Sequence, residues 1–208
     1  MASGRAGGEE DRVFLNYAMG ELNLKIVYYG AGYGGKTTNL AFIHKRLTSP
    51  ARLITLNTEE DRTLMFDFMP LDVGTVAGLK LRLHLYTVPG QIHYRATREL
   101  VLAGVDGVVL VVDSQRDRLE ANEVLWRDLS ADLLRHGLDP VSTPRVVQYN
   151  KRDTPSAMPI ADLRRRFNPS GWPEIPAIAS QGVGVSKTLN TITRAVVRRL
   201  RAEGVSQR

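Results

Sequence analysis

Cysteine is absent from all 208 residues, and that one absence removes several chemistries. Disulfides, thiolate metal sites, cysteine nucleophiles, prenyl anchors and palmitoyl anchors all need a thiol. Long apolar runs are missing too. No stretch reaches the roughly 20 apolar residues that span a bilayer. The opening "MASGRAGGEEDR" lacks the apolar centre of a signal peptide and carries Ala, not Gly, after Met1. Nor do aromatic residues interleave with basic ones to make a ribbon for nucleic acid. The expectation is a soluble cytoplasmic protein with no transmembrane or lipid anchor and no direct nucleic-acid contact.

Charge is uneven rather than scarce. Much of the net +6 comes from "DLRRRF" and "RAVVRRLRAEGVSQR", both helix-like, and a solvated basic helix face accounts for it. Composition leaves open whether the basic C-terminal helix makes a peripheral membrane contact. Hydrophobic residues reach 43%, enough for one sizeable core in a chain of this length.

Residues 1–12 are rich in Gly, Ala and charge without periodicity. A disordered N-terminal segment over 1–20 is expected, then a single domain over 21–208. "LNLKIVYYG" (22–30) reads as a strand, and "GKTTNLAFIHKRL" (35–47) places Leu40, Ile43 and Leu47 at helical spacing. "ARLITLN" is a second strand. "LKLRLHLY" (79–86) alternates apolar and polar residues, and the segment before it reads as its antiparallel neighbour. "VDGVVLVVDS" (105–114) is continuously apolar, as in a strand covered on both faces. A long helix over 117–136, the strand "RVVQYN" (145–150), the helix "PIADLRRRF", the strand "EIPAIA" (174–179) and a closing helix over 185–203 complete the pattern. Strands alternating with helices imply an α/β fold with a mostly parallel sheet and helices on both faces.

Gly30 to Thr37, "GAGYGGKT", matches the G-x-x-x-x-G-K-[ST] phosphate loop in full. A polyphosphate is held by backbone N–H groups aimed at one anion, and the dihedrals this needs are open mainly to glycine. The helix that follows adds the positive end of its dipole. The expected phosphate contacts are Gly32, Tyr33, Gly34, Gly35, Lys36, Thr37 and Thr38, with the Thr37 hydroxyl also on Mg²⁺.

"NKRD" (150–153), at the end of a strand, chooses the base. The Asp153 carboxylate can accept hydrogen bonds from guanine N1–H and the 2-amino group. Adenine offers neither, and a site built around hydrogen bonds rejects an analogue lacking them. Asn150 would brace the loop and reach N7, and the Lys151 stem would lie over the base. Thr63 sits where a γ-phosphate-sensing loop supplies a second hydroxyl to Mg²⁺. Gly90 and Gln91, in "YTVPGQ", sit where a glycine N–H bonds the γ-phosphate and a glutamine orients the attacking water.

With these loops in this order the chain resembles the Ras-like small GTPases over about residues 22–203, and within them the bacterial MglA group. The stretches that carry the resemblance include "KIVYYGAGYGGKTTNL", "TEEDRTLMFDFMPL", "LHLYTVPGQIHY", "VVQYNKRD" and "AIASQGVGV". It implies a three-layer P-loop small G-domain, with a sheet of six or more strands and one antiparallel strand pair. It also implies a GTP/GDP switch with Mg²⁺, and slow hydrolysis until a partner orders the loops. Arg62 matches an arginine thought to act as an arginine finger from within the same chain. Ala179 and Ser180 fall at the last guanine-contacting motif, where the Ala179 backbone is implied to contribute. Thr87 occupies the position of the usual switch aspartate, so the outer-sphere carboxylate for Mg²⁺ is missing there. Tyr33 and His93 depart from the group's pattern. The implied role is cell polarity or gliding motility, with recruitment to cell poles. The implied partners are downstream effectors and an MglB-like activator of roadblock fold. In this group the alternating strand pair over 64–86 is thought to shift register between nucleotide states, and Leu79, Leu81, Leu83 and Leu85 on one face favour a two-residue slip. Two rivals stay open at this point: a GTP-bound scaffold with little hydrolysis, and a P-loop ATPase or kinase using Asp113.

Overall fold

The computed structural model describes residues 15–16, 20–46, 53–56, 66–76, 78–91 and 94–203. Eight strands form one sheet: β1 (Leu15–Asn16), β2 (Glu21–Tyr29), β3 (Ile54–Leu56), β4 (Phe66–Val76), β5 (Leu79–Thr87), β6 (Gly107–Asp113), β7 (Arg145–Asn150) and β8 (Glu174–Pro176). Five α-helices pack on it: α1 (Lys36–Arg46), α2 (Arg95–Leu102), α3 (Leu119–Arg135), α4 (Ile160–Phe167) and α5 (Val185–Ala202). The spatial order is β3-β4-β5-β2-β6-β7-β8, with β1 beside the start of β2. β5, β2, β6, β7 and β8 run parallel. β4 runs against both β5, its expected antiparallel partner, and β3, while β1 runs against β2.

The strand at Leu15–Asn16 falls inside the segment expected to be disordered over 1–20; residues 1–14 and 17–19 lie outside the described residues. The other departure is α2, which the sequence pattern did not separate from the loop before it. Thr97 and Arg98 occupy its inner face beside Val101 and Leu102. Polar residues on the buried stripe erase the apolar period by which a helix is read.

Alternation along each strand divides the core in two. Leu22, Leu24, Ile26 and Tyr28 of β2 face α1 and α5 with Leu81, Leu83 and Leu85 of β5. Val27 and Tyr29 face the opposite side with Leu125, Leu129 and Leu133 of α3, and Leu163 and Phe167 of α4. All seven residues of β6 are buried, as its continuous apolar run requires. Each fully buried aliphatic or Phe side chain contributes about 1.5–3 kcal/mol through lost apolar exposure. Because these five strands are parallel, the C-terminal ends of β2, β5, β6, β7 and β8 all lie at the same end of the sheet. The loops after them meet there, in the crevice where open α/β sheets bind ligands.

Candidate functional site

The loop between β2 and α1 carries the glycines. Gly35 has a φ of +100°, and a Cβ there would overlap Asn150 Nδ2. Glycine is thus required both by dihedral and by close approach. Tyr33, in the same loop, holds a φ of +61° and is 83% exposed. Lys151 is the only other non-glycine residue with positive φ among the described residues. Such conformations cost about 1–3 kcal/mol each and cluster at functional sites. Both lie in the motifs that the sequence assigns to nucleotide.

Lys36 is buried at the start of α1, and its Nζ donates to the carbonyls of Gly30 (2.8 Å) and Ala31 (2.7 Å). Burial pushes its ammonium down to about 7, against the opposing pull of Asp67. Thr37 and Thr38 are exposed beside it. Gly32, Lys36, Thr37, Asp67, Thr87 and Gly90 help to line a cleft of about 470 Å³. A second cleft of about 480 Å³, next to Thr38, is lined by Phe42, Arg46, Ala179 and Ser180 among others.

Asn150 joins the two halves of the site. Its Nδ2 donates to the Gly34 carbonyl at 2.8 Å, and its Oδ1 accepts the Ala179 N–H at 2.9 Å. The bracing expected of Asn150 is therefore present. The Ala179 N–H, expected to serve the base, is given to Asn150 in this arrangement. Lys151 Nζ pairs with Asp113 Oδ2 at 2.7 Å and donates to Gln115 Oε1 at 3.1 Å. Asp153 is exposed, with no hydrogen bond or ion pair to another described residue. Ser180 is exposed as well.

Gly90 presses against the phosphate loop. Its carbonyl accepts the Gly32 N–H at 3.0 Å, and a Cβ on Gly90 would overlap the backbone of Ala31 and Gly32. Arg118 closes on the same point, donating from Nη2 to the Gly32 carbonyl at 2.7 Å. Gln91 is exposed next to it. Arg62, Thr63 and His93 lie outside the described residues.

A carboxylate from the adjacent strand reaches Thr87 and Thr37. Asp67 of β4 is 4% exposed, and its Oδ2 accepts both the Thr37 hydroxyl (2.5 Å) and the Thr87 hydroxyl (2.9 Å). Its own N–H donates to Thr87 Oγ1 at 2.9 Å. Sequence reasoning missed Asp67 because it was sought at one position of one motif. The available signal was an acidic residue set between two aromatics, Phe66 and Phe68, at the start of the strand.

The model of the ADP-ribosylation factor family matches residues 12–195. The chain belongs to that family. It is an MglA-like member: "Mutual gliding-motility protein MglA" of Myxococcus xanthus (strain DK1622) is 48% identical over 92% of this chain and 99% of that protein. "ADP-ribosylation factor-like protein 6" of Caenorhabditis briggsae is 28% identical, covering 86% of this chain and 90% of its own length. "ADP-ribosylation factor-like protein 4C" of Homo sapiens is 26% identical over 85% and 88% respectively. Ras- and Arf-like small GTPases bind guanine nucleotides with Mg²⁺, and the residues of this MglA-like chain fit such a ligand. The loop amides, the Lys36 ammonium and the Thr37 hydroxyl suit a polyphosphate with a divalent cation, and the Asp67 carboxylate stands behind that hydroxyl. No described helix is long and apolar enough to cross a membrane.

Proposed function

We propose that the chain is a GTP/GDP switch that binds guanine nucleotide with Mg²⁺ and hydrolyses GTP slowly until a partner orders its loops. One observation carries the reading: Asn150 of the "NKRD" segment is bonded to both the phosphate loop and the 177–184 turn. A guanine held by Asp153 and a phosphate tail held at 32–38 would then be coupled through one side chain. The P-loop kinase reading would leave "NKRD" without a task and needs Asp113 as a metal ligand or base, yet Asp113 is buried and paired with Lys151. The cation, when bound, neutralises phosphate charge. Thr37 and Thr63 would hold it, with Asp67 accepting hydrogen bonds at its rear.

Lys36 would meet the β- and γ-phosphates, and the Gly90 N–H the γ-phosphate. Gln91 would orient the attacking water. Arg62 would face the charge that spreads over the transferring group, a contact worth about 10³–10⁵ in rate where arginine fingers are known. Identity to MglA supports a role in gliding motility or polarity, an activator of the roadblock kind and further effectors. The test is competition of GDP and ADP for the purified chain. GDP should win by about 10⁴-fold, the scale on which hydrogen-bonded sites discriminate, and Asp153→Ala should abolish most of that preference. Equal uptake of ADP would overturn the reading.

A further inference from the structure

Arg98, on α2, is completely buried. Removing a guanidinium from water is costly unless it is paired and hydrogen-bonded. Its Nη1 donates to the carbonyl of Gln91 at 2.7 Å, and its Nη2 donates to Asp128 Oδ2 of α3 at 3.1 Å. The same Gln91 carbonyl also accepts the Tyr94 N–H at 3.2 Å. One planar side chain thus spans the backbone of the Gln91 segment and a different helix.

Helix α3 is itself anchored one turn further on. Asp132, wholly buried, accepts the Tyr29 hydroxyl of β2 at 3.1 Å and Arg135 Nη1 at 2.8 Å, with Arg95 of α2 at 3.6 Å. Burial and the Asp132 charge push the Tyr29 hydroxyl up, so it stays a donor. The central strand fixes α3, and α2 hangs from α3 by its arginines. At the other end, Gly90 lies against Gly32 with no room for a Cβ. Movement of the Gln91 carbonyl therefore bears directly on the phosphate loop.

We propose that Arg98 is a positioning residue that ties the Gln91 backbone to α3 through Asp128, so that α3 sets the placement of the segment carrying Gly90 and Gln91. The claim of an effect on hydrolysis rests on the switch reading above; the anchoring claim does not. Lysine at position 98 would keep the charge but lose the fork that serves two partners at once. Asp128→Asn keeps shape at a residue 25% exposed and removes only the charge.

The test uses the full chain with Arg98→Lys, Asp128→Asn and the double variant. Amide hydrogen exchange over 88–97 should quicken by at least about tenfold, the opening expected when a charge-assisted hydrogen bond is lost, while β6 and β7 exchange as in the parent. The double variant should be no worse than the worse single one, because both substitutions break the same link. Affinity for a fluorescent GDP should stay within about twofold of the parent while single-turnover GTP hydrolysis falls about tenfold. A merely structural arginine would not produce that split. Unchanged exchange in Asp128→Asn, or additive effects in the double variant, overturns the proposal. Should Arg98→Lys not fold, Asp128→Asn decides alone. A parent that binds no guanine nucleotide refutes the switch reading, and the exchange result still decides the anchor.

Discussion

Asp67→Asn removes one negative charge and leaves the side-chain shape nearly intact. In the folded chain Oδ2 accepts the hydroxyls of Thr37 at 2.5 Å and Thr87 at 2.9 Å. Hydrogen bonds to an ionised group contribute about 1.5–3 kcal/mol, against about 1 for neutral pairs. An amide oxygen at 67 retains the neutral part, so the loss felt at the Thr37 hydroxyl is about 0.5–2 kcal/mol, or roughly 2- to 30-fold in an equilibrium constant. If the carboxylate serves the cation, that loss belongs to the Mg²⁺-dependent share of nucleotide affinity alone. Dissociation of a fluorescent GDP, followed in saturating Mg²⁺ and again in a chelator, separates the shares. The variant should release GDP faster by that factor with Mg²⁺ and at the parental rate without it. Adding Thr87→Asp should return part of the Mg²⁺ effect by placing a carboxylate at the end of β5. A variant with the parent's full Mg²⁺ dependence would refute the assignment, and equal weakening in both conditions would reduce Asp67 to a prop for the loop.

Gln91→Ala and Arg62→Ala should each leave GDP affinity near parental while lowering partner-stimulated hydrolysis by at least about 10²-fold; equal stimulated rates in variant and parent would end both assignments. Asp106 gives a pH-dependent prediction away from the site. Burial pushes its carboxyl up to about 6 from 3.8, although it accepts the Lys25 N–H at 2.7 Å. The fold therefore disfavours its charged form, and the stability it lends at acid pH is lost as pH rises from about 4 through 6. Asp106→Asn should exceed the parent by about 3 kcal/mol at pH 7.5 and show little advantage near pH 4. Urea unfolding at the two pH values checks this, and a difference independent of pH would count against it.

The sheet was legible because strand signals are local and periodic: the alternating leucines of β5 and the unbroken apolar run of β6 lie on the faces their patterns require. The phosphate loop and "NKRD" were legible because each motif is contiguous. What escaped was assembled across strands and helices. Asp67 reaches the site only because the antiparallel pairing of Phe68 with Tyr86 carries the preceding residue to Thr87. Arg98 escaped because a cation on the inner face of a short helix breaks the apolar stripe, and its partner, Asp128, lies 30 residues further along the chain. Spacing along a chain encodes the first kind of relation and not the second.

The amide of Asn150 has a mechanical consequence. It grips Gly34, 116 residues away, and Ala179, 29 residues away, from a single rigid group. Neither half of the cleft can then be loosened by itself. β8, just before the 177–184 turn, lies at the edge of the sheet opposite β3. A protein that pried at that turn would pull on the phosphate cradle through one side chain, and ejection of the bound molecule could begin from the end farthest from β3 and β4.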